Sequence, residues 1–195
     1  MLIILALILL ILYILPTYPN PKVLNNFLSE SERRHIIREA SGKLEQSSIS
    51  HNKRIDESIR KSETAWLSRE DPVVRAITER CLKYTDRPVR NCEKLQVVRY
   101  KPGGHYKPHQ DAFKDDENMR LYTFILALND DYRGGETVFP NLKKSYKLRA
   151  GDALFFDTVN NYNFITSKAL HGGNPVKSGD KWICNLWVRK YPYTI

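Results

Sequence analysis

The chain has 195 residues, enough for one domain with a proper core. Aromatic residues make up 11% of it and no long stretch lacks apolar residues, which excludes an intrinsically disordered chain. The 31 basic against 22 acidic residues give a net charge of +9, but the basic residues are scattered rather than blocked. Such a charge speaks for solubility and weak steering of an anionic small molecule, and no nucleic-acid partner is expected. Three cysteines, Cys81, Cys92 and Cys184, form neither a disulfide framework nor a Cys-x-x-Cys zinc pair. A Cys81–Cys92 bridge and free buried thiols both stay open.

Residues 1–15 carry no charge and nothing polar except Tyr13, and Pro16 ends the run. As a helix they would span about 22 Å, short of the roughly 30 Å hydrocarbon core, so a signal-anchor extending to Tyr18 (residues 1–18) is expected rather than a buried helix. The basic residues nearest the run follow it, which by the positive-inside rule draws the remainder of the chain toward the cytoplasm. Residues 19–26, within a proline-containing stretch, are expected to be a linker and residues 27–195 the one folded domain.

Ser29-Glu30-Ser31-Glu32 is a capping box, and Ile36, Ile37, Ala40 and Leu44 follow at helical spacing, predicting a helix to about Leu44. Residues 46–61 are polar and basic and predict a long loop of the lid or binding kind. A second helix starts at Asp71-Pro72, with Val74, Ile77 and Cys81 on its buried stripe. From Leu95 the texture changes to short β-like runs at 95–100, 121–128, 137–139, 153–156, 169–171 and 183–188, separated by Gly, Pro, Asn and Asp turns. Together these predict an α+β protein whose β part is a sandwich or barrel with the two helices outside.

The chemistry is concentrated in His109-Gln110-Asp111, read with His171 and Lys181. On an extended segment, residues two apart point the same way, as a metal requires of neighbouring ligands. A distant second His completes a two-His, one-carboxylate triad, the set that holds Fe(II) and leaves positions open. The absence of a thiolate disfavours structural zinc. A lone His-x-Asp is common by chance, however, and His35, His51 and His105 read as ordinary surface or hydrogen-bonded residues. Lys181, followed by the apolar Trp182 and Ile183, reads as an ammonium in need of an anion.

The surrounding motifs decide between these readings. Tyr100-x-x-Gly103-x-x-Tyr106-x-x-His109-x-Asp111, Arg120-x-x-Thr123 through Leu128-Asn129, Gly134-Gly135-Glu136-Thr137-Val138-Phe139-Pro140, Gly151-Asp152-Ala153-Leu154, and His171-Gly-Gly-Asn-Pro175 followed by Gly179-Asp-Lys181-Trp182 stand in order. This pattern resembles the prolyl 4-hydroxylase family of Fe(II)/2-oxoglutarate dioxygenases, in its compact plant, algal or viral form, over residues 25 to 190. The resemblance implies a double-stranded β-helix, the jelly-roll or cupin-like barrel. It implies His109, Asp111 and His171 as iron ligands and Lys181 as the partner of the distal carboxylate of 2-oxoglutarate. Tyr100 would touch the same cosubstrate, with Thr123 a candidate to share its carboxylate, and Tyr106 and Trp187 would face the substrate.

O2 is then the second cosubstrate, ascorbate the reductant that rescues oxidised iron, and a proline-rich peptide the substrate of a monomeric enzyme. Family habit places the catalytic domain in the lumen of the endoplasmic reticulum or secretory pathway, against the charge rule above. Ala169 and Asn174 depart from the family's usual Ser and Cys without touching the proposed ligands. The rivals are a related oxygenase acting on lysine or alkylated nucleic acid, and a catalytically silent proline-rich-peptide module.

Overall fold

A computed structural model describes residues 15–49 and 54–193. Its strands are β1 (Lys22–Leu24), β2 (Glu45–Gln46), β3 (Arg60–Lys61), β4 (Glu63–Leu67), β5 (Leu95–Tyr100), β6 (His105–His109), β7 (Arg120–Ala127), β8 (Arg133–Gly134), β9 (Thr137–Phe139), β10 (Lys144–Tyr146), β11 (Ala153–Asp157), β12 (His171–Gly173), β13 (Val176–Ser178) and β14 (Lys181–Arg189); its helices are α1 (Glu30–Ser41) and α2 (Pro72–Leu82). A seven-stranded sheet runs β1-β11-β7-β14-β5-β4-β2, a five-stranded sheet β10-β9-β12-β6-β3, and β13 pairs with β8. The named strand pairs are antiparallel.

The large sheet is apolar on both faces because each face packs on something different. Strand side chains alternate, so along β7 and β14 one set looks out and the next looks in. Phe124, Leu126, Cys184, Leu186 and Val188 face outward into a core shared with Ile36 and Ala40 of α1 and Val74, Ile77 and Cys81 of α2. Ile125, Ala127 and Ile183 face inward, into a second core with Phe139 and Val176. The sequence therefore shows continuous apolar runs rather than alternation. All three cysteines are buried free thiols.

The helix boundaries follow their caps. Ser29 accepts from the Glu32 backbone N–H at 3.2 Å and Glu32 accepts from the Ser29 N–H at 2.8 Å. Gly42 forms the C-cap, so α1 stops short of the expected Leu44. Asp71 caps α2 by accepting from Val73 and Val74 at 2.8 and 3.0 Å.

Three expectations are corrected. Residues 19–26 are not a free linker: Lys22–Leu24 pairs with β11, and the hydroxyl of Tyr18 donates to the Asp157 carbonyl at 2.8 Å. Prolines favour the extended backbone needed there, and an edge strand tolerates their missing donors. The 169–171 run is a short 3-10 turn, Ser167–Ala169, followed by a strand that starts at His171. The 46–61 segment is not structureless, because Ile49 bridges Arg54 and β3 lies within it.

Residues 1–14 of the expected anchor lie outside the described residues. Among those described, no helix is long and apolar enough to cross a membrane.

Phe124 is fully buried in the core between the large sheet and the helices, and it stacks at 4.7 Å on its cross-strand neighbour Phe155. We expect Phe124→Ala to cost about 3–5 kcal/mol in urea unfolding, as for other buried aromatic truncations. A loss under about 1 kcal/mol would mean that this core is not close-packed.

Candidate active site

Strand register assembles the site. His109 ends β6 and His171 opens β12, and the two are direct partners across the antiparallel pair. Their rings are therefore neighbours, 4.5 Å apart. A side chain on Gly172 would meet the Tyr106 carbonyl at 2.8 Å, so a glycine must follow His171 for the strands to pair this closely. Asp111, two residues past His109, sets Oδ1 3.7 Å from His109 Nε2 and Oδ2 3.6 Å from His171 Nε2. One ligand atom from each of the three lies within 4.8 Å of the others.

The protonation states suit a metal. His109 Nδ1 lies 2.9 Å from the Lys107 carbonyl and His171 Nδ1 lies 3.0 Å from the Ala169 carbonyl. A carbonyl can only accept, so both Nδ1 atoms donate outward and both Nε2 atoms are left facing the cluster. Desolvation and the neighbouring His171 hold His109 down to about 3, keeping it neutral. Burial alone would raise Asp111, but His171, His109 and Arg120 outweigh it and hold the carboxyl at about 2. Two imidazoles and one carboxylate, with no thiolate, form a donor set that fits Fe(II).

The cluster lines a cavity of about 570 Å³ whose wall also carries Tyr100, Tyr106, Thr137, Lys181 and Trp187. Lys181 and Tyr100 are cross-strand partners on β14 and β5, which turns both inward. Lys181 is 5% exposed, its Nζ donates to the Gly135 carbonyl at 2.7 Å, and it lies 5.4 Å from the Tyr100 ring centroid. Gly135 has φ +68°, and a Cβ there would press on the Lys181 stem at 3.1 Å. Among the described residues no carboxylate lies within ion-pair distance of this ammonium. Burial, followed by repulsion from Lys147, pushes Lys181 down to about 8. A small dicarboxylate would complete both ends: one carboxylate at the cluster, the other at Lys181.

Two residues stand differently from expectation. Thr123 does not present its hydroxyl to Lys181; it donates to Asp111 Oδ2 at 2.7 Å. Trp187, its direct cross-strand partner, donates Nε1–H to the same oxygen at 2.9 Å. Thr123 and Trp187 share an inward face because they are paired in register, and Asp111 is what they meet. A second threonine, Thr137, is buried and lines the same cavity wall as Lys181. Thr137 sits in the Gly-Gly-Glu-Thr motif, but nothing in that motif alone says that its hydroxyl faces inward.

Tyr106 stacks on the His109 ring at 3.6 Å between centroids. The guanidinium of Arg60, missed in the sequence because it falls in a polar segment, covers Tyr106 at 4.8 Å. Arg120 and Glu93 also line the cavity and bind each other twice, at 2.6 and 2.9 Å. His105 and His35 are ordinary hydrogen-bonded residues, as expected.

Residues 95–189, the segment that supplies all of these ligands, match the 2OG-Fe(II) oxygenase superfamily. A protein of Acanthamoeba polyphaga mimivirus classed with the prolyl 4-hydroxylases is 37% identical over 188 residues, covering 91% of this chain and 77% of its own length. The chain belongs to the prolyl 4-hydroxylase family of 2OG-Fe(II) oxygenases. Prolyl 4-hydroxylase 1 of Arabidopsis thaliana is 32% identical over 196 residues, covering 88% of this chain and 69% of its own. The solved viral collagen prolyl hydroxylase of Paramecium Bursaria Chlorella virus-1, in its 2OG complex, superposes with a TM-score of 0.74 at 31% identity, over 89% of this chain and 97% of that one. The family works with Fe(II), 2-oxoglutarate and O2, and the donor set and the buried ammonium of this chain fit the first two.

Two outcomes follow from this geometry. Replacing His109, Asp111 or His171 by Ala should abolish tight Mn(II) binding in calorimetry while leaving the fold intact by circular dichroism; unchanged binding would move the metal elsewhere. Only the ammonium form of Lys181 pairs with a carboxylate, and its lowered pKa means that form is lost as pH rises through about 8. The 2-oxoglutarate Kd of the Mn(II)-loaded protein should be flat at neutral pH and below, then rise by up to about tenfold per pH unit above 8. A profile still flat well above pH 9 would remove Lys181 from cosubstrate binding.

Proposed function

We propose that this protein hydroxylates C4 of peptidyl proline, converting 2-oxoglutarate and O2 to succinate and CO2. The observation that carries the reading is a His109/Asp111/His171 cluster and an anion-seeking Lys181 on the wall of one open, aromatic-lined cavity. The iron and its cosubstrates, when bound, supply the oxidising power and the oxygen atom inserted into the C–H bond. Every other task falls to the chain.

Lys181 grips the distal carboxylate of 2-oxoglutarate, with Tyr100 and Thr137 on the same cavity wall. Burial raises Tyr100 above its ordinary value, so it keeps its proton and can donate. Ile125 and Ile183 line the cavity wall with apolar surface that excludes water. We read the large and five-stranded sheets, closed on this apolar interior, as the double-stranded β-helix that the family resemblance implies.

The substrate reading rests on the mouth of the cavity. Tyr106 lies flat on His109, and Trp66, Phe113 and Tyr193 extend the aromatic wall outward. A proline ring packs well on such faces, and a polyproline II strand reaches them already stiff and without internal hydrogen bonds. Ascorbate, the family's usual reductant, would restore iron oxidised in turnovers without substrate.

The assay is succinate release together with an added oxygen atom in a panel of proline-rich peptides, using the Fe(II)-loaded chain and His171→Ala as control. Hydroxyproline formed in step with succinate is expected. Succinate with no peptide product would transfer the activity to lysine or alkylated nucleic acid, and no succinate at all would leave a silent peptide-binding module.

The charge-free run at residues 1–15 supports a membrane anchor, and from family habit we take the chain to be a monomer on a secretory-pathway membrane with its catalytic domain in the lumen. In sealed microsomes that domain should resist added protease until detergent is present. Cleavage without detergent would put it on the cytoplasmic side.

A further inference from the structure

We infer that Trp187 and Thr123 are positioning residues that clamp one oxygen of Asp111, so that the carboxylate meets iron through the other oxygen alone. The inference rests on the iron reading above and assigns these two side chains a task that neither cosubstrate nor substrate contact supplies.

Asp111 is almost fully buried, and its two oxygens are treated unequally. Oδ2 accepts from the Thr123 hydroxyl at 2.7 Å and from the Trp187 indole N–H at 2.9 Å. Two donors match the two lone-pair directions of a carboxylate oxygen. Oδ1 has His109 Nε2 at 3.7 Å and an Arg120 nitrogen at 3.9 Å, both beyond hydrogen-bond range. The carboxylate is thus fixed in rotation, with a saturated oxygen and an unsaturated one. Oδ2 lies as near His171 Nε2, at 3.6 Å, as Oδ1 does to His109, but its lone pairs are taken by Thr123 and Trp187, so a metal seated between the two histidines has Oδ1 as its available donor. Three protein donor atoms then leave three positions of an octahedron, whereas a carboxylate free to rotate and chelate would take a fourth.

The clamp is itself held. Arg120 lies over the Trp187 ring, its guanidinium carbon 3.6 Å from the centroid. Glu93 binds Arg120 through both oxygens and accepts from Arg189 Nε at 2.8 Å. The backbone N–H of Glu93 donates to the Trp187 carbonyl at 3.0 Å. Register does the rest: Trp187 and Thr123 are opposite one another on β14 and β7, so a single pair of facing positions delivers both donors to one oxygen.

The test uses Trp187→Phe, which keeps an aromatic ring under Arg120 but removes the N–H, and Thr123→Val, which keeps shape but removes the hydroxyl. Co(II) replaces iron as the probe, giving an affinity by calorimetry and a coordination-sensitive visible spectrum, both without turnover. Each variant should bind Co(II) roughly 10-fold more weakly, as outer hydrogen bonds to metal ligands usually require. Each should also change the spectrum toward higher coordination, and Thr123→Ser should restore both readings. Variants that match the wild type in affinity and spectrum would overturn the clamp while leaving the metal site intact. A wild-type chain that takes up no Co(II) would overturn the iron reading, and the clamp with it.

Discussion

An ionised carboxylate, Asp111, stands in the interior of the barrel at 4% exposure, and the surrounding structure is organised by the need to offset that charge. An unpaired buried carboxylate would be destabilising by several kcal/mol. Thr123 and Trp187 donate to it, Arg120 stands at 3.9 Å, and two imidazoles close the remaining side. These groups arrive from four strands, so the charge is offset only when β6, β7, β12 and β14 are in register together. A one-residue slip in any of these strands would turn its donor to the opposite face.

The opposite end of the cavity has the complementary problem. Lys181 is a buried cation with one backbone carbonyl for company. Desolvation lowers its pKa to about 8, a strain on the charged form that a bound carboxylate would relieve. A metal-facing anion at one end and an unmatched ammonium at the other make the cavity selective for a ligand that chelates with one end and carries a carboxylate at the other. The aromatic mouth belongs to a second ligand. Tyr106 separates the two environments, stacked on a metal-site imidazole and covered by Arg60.

The clustering of His109, Asp111 and His171 was legible because its signal is local: His-x-Asp on extended backbone, and a His followed by two glycines that let β12 approach β6. The helices were legible from their caps, Ser29/Glu32 and Asp71/Pro72. Partnerships set by long-range register were not. Thr123 and Trp187 lie 64 positions apart in sequence yet meet on one oxygen, and only strand pairing reveals it. Thr137 was passed over for the same reason, since its inward direction depends on the pairing of β9 with β12. Short strands such as β2, β3 and β13 carry too few residues to show a period. Arg60 shows no sign of burial in a segment that is otherwise basic and polar. The proline-containing start read as a linker because prolines punctuate turns more often than they line the edge of a sheet.

The central claim is that one iron sits among His109, Asp111 and His171. Anomalous diffraction at the iron edge, from crystals grown anaerobically with Fe(II) and 2-oxoglutarate, tests it directly. The account predicts one strong peak within bonding distance of both histidine Nε2 atoms and of Asp111 Oδ1, with the distal carboxylate of 2-oxoglutarate at Lys181. A peak elsewhere, or a cavity with 2-oxoglutarate bound and no iron at the three side chains, would contradict it.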